Sequence, residues 1–323
     1  MNTNETILGS IEPELAERIA QAGDEIAQGR TTSSSVAAGL AMASVPIALA
    51  ALARDAGAQT ASGVVDVLNF ALMLEIFEDE FYKAVLGTNS SAKQNAVFAP
   101  VRAKVLALTG TIINSTSVLA ALGIISKHET SHVAYLKSAG ASNILNLTSD
   151  SFDFTGGRGS GTGPFAAAGS DLNFLLLTAQ GAEDTGVRAY KGQAPNLMSN
   201  PVALESALRI HSVEARHAAK IRRVRRLTGA TEVKYSGTIT GGGAGAAGAS
   251  NVSNPSAGSV AALGLIYAGE DNTTQGGVNV AALPNQPTSN FTAANAASEA
   301  FDEPLTKAQV IAIVQGFFIP ALS

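Results

Sequence analysis

The chain predicts an all-α protein built on a four-helix bundle, and three observations carry that prediction. Apolar residues make up 46% of the sequence and aromatic residues only 5%, so Ala, Leu, Val and Ile, with their bias toward helix, must build the core. Long helical runs stand between breaks rich in Gly, Pro and Asn. A long polar stretch separates the second run from the third, which divides four helices into two hairpins joined by one crossover.

Residues 1–60 read as N-terminal helices. Residues 11–28 place Ile11, Leu15, Ile19 and Ile26 on one face. Val36 to Ala53 resembles the apolar part of an export signal, and any association with a membrane or envelope would run through residues 36–53. An acidic stretch precedes it, only Arg18 and Arg30 supply positive charge, and Pro46 interrupts it. A decayed or uncleaved signal packed as a helix fits better than a working one. A transmembrane span fits least, because the run is short, Ala-rich and broken by proline.

Residues 61–230 hold the bundle. Asp66 to Leu86 is a strong helical run closed by Gly87 and a polar loop, Thr88–Asn95. Helix returns near Pro100 and is firm from Ser117 to Lys137. Ser149 to Gly169 reads as a crossover too polar and glycine-laden to pack. Asp171 caps a helix to Tyr190, stopped by Gly192 and Pro195, and Pro201 opens the next, to about Leu227. Residues 231–323 read as an irregular Gly- and Asn-rich covering layer ending in a helix from about Lys307 to Phe317 or Phe318.

Composition excludes several functions. A net charge of −5 argues against nucleic-acid binding, and the run Arg222, Arg223, Arg225 and Arg226 complements a helix C-terminus. With no cysteine, disulfides, zinc–thiolate sites and iron–sulfur clusters are out, so any metal is held by oxygen and imidazole: iron or manganese, with zinc also compatible.

The chemistry lies in the histidines. The chain has 4 of them, in two groups: His128 and His132 in ISKHETSHVAYL, His211 and His217 in RIHSVEARHAAKI. In each group a glutamate stands three residues before a histidine, Glu129 before His132 and Glu214 before His217. Chance gives such a double match on the order of one or two times in a hundred. Residues three apart share a helix face, so each pair can chelate an ion or bridge two. The other two long helices carry Glu75 and Glu183 in apolar surroundings, where an unpaired carboxylate would cost several kcal/mol. Tyr82 and Lys83 follow Glu75 at the same two offsets as Tyr190 and Lys191 follow Glu183. The order Glu, Glu-x-x-His, Glu, Glu-x-x-His is thus an approximate internal duplication. On the first helix, Glu78 and Glu80 offer competing registers.

That order is the ligand set of ferritin-like di-iron and di-manganese proteins. The segments DVLNFALMLEIFEDEFY, ISKHETSHVAYL, AEDTGVRAYKG, YAGEDN at Tyr267–Asn272 and FDEPLTKAQVIAIV at Phe301–Val314 resemble the ferritin-like domain proteins that include the plant desiccation-related proteins. The resemblance runs from Asp66 to Phe318 and implies a ferritin-like bundle with two metal ions, Fe or Mn, on Glu75, Glu129, His132, Glu183, Glu214 and His217. The resemblance implies little about the reaction; the partners expected are metal ions and small oxidants, with the chain in a homo-oligomer. It also favours export, although where relatives carry a twin-arginine signal this chain has Arg30–Thr31–Thr32. The expected function is handling of iron, dioxygen or peroxide in stress protection, of ferroxidase, peroxidase or catalase type. The rival is a structural or assembly-forming protein whose metal site is only a staple or is empty. A manganese catalase relative would share the ligand order.

The remaining residues carry smaller expectations. Glu78 is an extra ligand or, preferably, a solvated or supporting group. His211 supports the site and His128 caps or packs. Tyr82 and Tyr190 pack in the core by default, with a radical or hydrogen-bonding role near the metals as the lesser reading, and Asp184 orients an imidazole. Glu270 and Asp302 hold the covering layer.

Overall fold

The computed structural model describes residues 61–228, 257–284 and 293–319. The helix expected at 11–28, the apolar run 36–53 and the glycine-rich Thr238–Asn254 lie outside the described residues. The described chain is mostly helical: α1 Ala61–Leu86, α2 Ala92–Val97, α3 Ala99–Leu106, α4 Ser115–Ser138, α5 Leu172–Gln193, α6 Pro201–Leu227, α7 Ala257–Tyr267, α8 Ala293–Glu299 and α9 Lys307–Val314. No helix among the described residues is long and apolar enough to cross a membrane.

The long helices form where their ends are specified. Gly87 takes φ +80° after α1, a left-handed conformation that lets Thr88 N–H reach the Lys83 carbonyl at 2.8 Å and close the last turn. Asn114 caps α4 by accepting from Ser117 N–H, and Ser117 Oγ accepts from Asn114 N–H in return. Asp171 caps α5 through Phe174 N–H, and Asn200 caps α6 through Ala203 N–H with Pro201 at the first helical position. α1 packs along α4 and α5 along α6, so the two expected hairpins form, and residues 139–171 are the crossover between them.

Several local expectations change. The polar loop after α1 already turns into helix at Ala92, and Gln94 is buried there, donating to the Phe152 carbonyl at 2.7 Å. Helix α5 runs through Gly192 instead of stopping at it. The glycine serves a close approach: a Cβ there would lie 1.9 Å from the Leu305 carbonyl oxygen. The final α-helix ends at Val314, and a tighter turn carries Gln315–Phe317.

The largest correction concerns the crossover, which packs despite its glycines. Phe152, Phe154 and Phe165 are buried. Phe77 on α1 gathers Phe152, Phe154, Phe317 and Phe318 with ring centroids 5.0–6.1 Å away. The polar remainder folds around Asp153, whose carboxylate accepts from the Thr155 hydroxyl and from the backbone N–H groups of Thr155, Gly159 and Gly161. One buried acid thus satisfies the loop backbone while the phenylalanines extend the core.

The C-terminal layer lies on this surface. Asp153 N–H donates to the Phe317 carbonyl at 2.7 Å, and Ile319 N–H to Ser151 at 2.9 Å. Arg188 of α5, 2% exposed, is its main anchor. Its guanidinium donates to the carbonyls of Ile266, Ala268 and Glu303 and stands 3.1 Å from the Glu270 carboxylate. Glu270 also accepts from Glu303 N–H, the holding role expected of it, and the Asp302 carbonyl accepts from Lys191.

Candidate metal centre

Each long helix carries one part of the site into the middle of the bundle. α1 brings Glu75, α4 Glu129 and His132, α5 Glu183, and α6 Glu214 and His217. The four glutamates are fully buried, at 0% exposure, and the two histidines nearly so. All six predicted residues therefore converge, in two overlapping sets: Glu75, Glu129, His132 and Glu214, and Glu129, Glu183, Glu214 and His217. In each set one candidate atom per residue lies within 4.8 Å of the others. Glu129 and Glu214 belong to both sets, and Glu75 and Glu183 to one each.

The distances carry a chemical demand. His132 Nδ1 lies 3.0 Å from Glu75, 3.1 Å from Glu129 and 3.2 Å from Glu214. His217 Nδ1 lies 2.9 Å from Glu129, 3.1 Å from Glu183 and 3.6 Å from Glu214. An imidazole nitrogen bears at most one proton, so it cannot bond three carboxylates at once. Glu129 Oε1 and both Glu214 oxygens are left buried without a hydrogen-bond donor. Anionic oxygens in that condition call for a cation, and the donor set of carboxylates with imidazole Nδ1 suits iron, manganese or zinc.

The electrostatics agree. Burial pushes the Glu129 carboxyl up to about 7 even though the adjacent His132 and His217 imidazoles pull it down. Glu214 is raised by burial and then by the charges of Glu129 and Glu75. Burial lowers the imidazoles, but Glu129, Glu214 and Glu75 around His132, and Glu129, Glu183 and Glu214 around His217, outweigh it and push both up to about 12. The bundle thus gathers protons where a divalent ion would neutralise the same charge.

The surrounding residues depart from several expectations. For Tyr82 and Tyr190 the lesser expectation, hydrogen bonding beside the carboxylates, is what is found. Tyr82 of α1 donates to Glu183 of α5, and Tyr190 of α5 donates to Glu75 of α1 at 2.5 Å. Burial, then the facing glutamate, holds both phenols protonated. Their shared offset from Glu75 and Glu183 was the available signal, and it pointed two turns along the same helix when the partner is on the other one.

His128 does not cap. Its Nδ1 lies 2.9 Å from His217 Nε2 and its ring stacks on that imidazole at 5.1 Å, so it can fix which His217 nitrogen carries the proton. Asp184 binds no imidazole; it accepts from Arg222 at 2.6 Å and from Tyr267 at 2.8 Å. Arg222 therefore turns inward, as does buried Arg225, which donates to Gln180, leaving Arg223 and Arg226 exposed at the helix end. His211 makes no contact with the carboxylate cluster in any bond or ion pair described, and its Nε2 is buried without a partner. Burial and then Lys191 lower its basicity. The competing registers on α1 also separate: Glu80 accepts from Asn89, whereas Glu78 is buried and raised by burial and by Glu214, Glu183, Glu129 and Glu75.

Compared with known proteins, residues 63–226 match a family model described as a ferritin-like domain. No curated protein and no solved structure matches the chain.

Proposed function

Because this chain belongs to the ferritin-like domain family, we propose that its buried carboxylates and imidazoles hold two metal ions that act on iron, dioxygen or peroxide in stress protection. The observation that supports this most directly is the crowding of three carboxylates on each histidine Nδ1, with Glu129 Oε1 and both Glu214 oxygens left without a hydrogen-bond donor. Glu129 and Glu214 would bridge, while Glu75 with His132 and Glu183 with His217 would each complete one ion. Four glutamates carry the charge that two divalent ions neutralise. When bound, such a pair supplies two redox equivalents and Lewis acidity.

The protein's own residues do the rest. The Tyr82 and Tyr190 hydroxyls hold the outer carboxylates in place and remain available as proton donors. His128 orients the His217 ring. A small apolar cleft is lined by Leu74 and Tyr190, and the Tyr190 hydroxyl donates to Glu75 behind it. The rival reading has the ions only staple the bundle of a desiccation-related structural protein, and redox turnover separates the two.

Purified protein loaded with Fe(II) or Mn(II) and freed of excess should retain two ions per chain, and Glu75→Ala and Glu183→Ala should each lose one. Substantially fewer than two in the unaltered protein overturns the reading. Metal-loaded protein that neither oxidises Fe(II) nor consumes peroxide, yet melts far lower with chelator, would identify the staple.

A further inference from the structure

The internal duplication fails at one informative position. Three residues after Glu75 on α1 stands Glu78, and three residues after Glu183 on α5 stands Gly186. On both sides of that position the halves agree, through Glu75 and Glu183, Tyr82 and Tyr190, Lys83 and Lys191.

The extra carboxylate lies against that glycine. A Cβ built on Gly186 would lie 3.5 Å from Glu78 Oε1, 3.5 Å from Glu214 Cγ and 3.7 Å from Glu214 Oε2. Glu78 therefore reaches across from α1 to α5, into the face of the cluster that holds Glu183 and Glu214. It is 3% exposed, and its carboxylate has no hydrogen bond or ion pair among the described residues. Its neighbours are all engaged: Asp79 by Lys83 and Thr130, and Glu80 by Asn89. An acid with no protein donor in so little exposed surface is disfavoured relative to an aliphatic residue at the same position.

We infer that Glu78 is a further ligand of the metal pair, reaching the ion held by Glu129, Glu183, Glu214 and His217, so that the two ions have unequal ligand sets. The inference rests on the dinuclear reading above. An added carboxylate makes that position the harder and tighter of the two, suited to cations that prefer oxygen. A Cβ at Gly186 would meet Glu78 at ordinary van der Waals distance, so alanine fits there and only a longer side chain would crowd the carboxylate.

The test is stepwise Mn(II) binding by the full chain, against a competing chelator, with Glu78→Gln, which keeps shape and removes charge. One binding step should weaken by about tenfold or more while the other stays within about threefold, as loss of one ligand at one ion requires. With Co(II), the visible bands of the variant should intensify as coordination number falls. Unchanged steps and an unchanged Co(II) spectrum overturn the inference while leaving the dinuclear site intact. Equal weakening of both steps also overturns it, since that marks a general disturbance of the bundle. Unaltered protein that holds fewer than two ions removes both readings together.

Discussion

Without metal, raising the pH from about 4.5 to 7 should lower the melting temperature of this bundle. Burial holds the Glu129 carboxyl at about 7 against an ordinary 4.5. Between those values the folded chain keeps a proton that the unfolded chain has released, so stability falls as pH rises through the window. At about 1.4 kcal/mol per pH unit the gap corresponds to about 3 kcal/mol. For a domain of this size that is roughly 5–12 °C in melting temperature. Glu78 and Glu214 are raised as well and act in the same direction. His132 and His217 extend the decline: held up to about 12 from 6.5, they contribute stability in full below 6.5 and lose it as pH climbs toward 12. Asp153 works oppositely. Burial would raise it, but the Thr155 hydroxyl and the loop N–H groups hold it below 3.8, so its contribution is lost only in stronger acid, outside the window. The assay is thermal melting followed by circular dichroism in chelator, from pH 4.5 to 7 at fixed ionic strength, beside a series in Mn(II). Metal should reverse the slope, because ligation requires deprotonated side chains. A chelated melting temperature that is flat or rises across the window would refute the reasoning.

Tyr82→Phe and Tyr190→Phe should each leave the fold intact and weaken metal binding by about tenfold, measured by chelator competition, because the hydroxyl that orients a ligand carboxylate is gone. Arg188→Met should cost about 3–5 kcal/mol in denaturant unfolding, since it removes the charge partner of Glu270 and the donor to three interior carbonyls. Limited proteolysis should then cut first in the covering layer around Glu270 and Glu303.

The helices and the six convergent side chains could be read from the chain because both depend on short spacings. A three-residue offset puts Glu129 with His132 and Glu214 with His217 on one helix face wherever the helix lies. Caps such as Asn200 with Pro201 act within a single turn. A carboxylate inside an apolar run, as at Glu75 or Glu183, forces a partner by its solvation cost alone.

What spacing could not give is anything that depends on which helix lies opposite. Tyr82 and Tyr190 bond across the bundle, His128 meets an imidazole 89 residues away, and Asp184 pairs with Arg222 and Tyr267 instead of a histidine. The crossover looked unpackable because its glycines and serines were visible locally, whereas the phenylalanines that receive Phe152 and Phe154 come from α1 and from the end of the chain. Glu78 and Gly186 show the division most sharply. The sequence determined that a fifth acid stands one turn from Glu75, and only the packing of α1 against α5 decided that it lies against Gly186 beside Glu214. Burial and direction arise when helices meet, because the free energy of a charged side chain is set by the groups that replace its water.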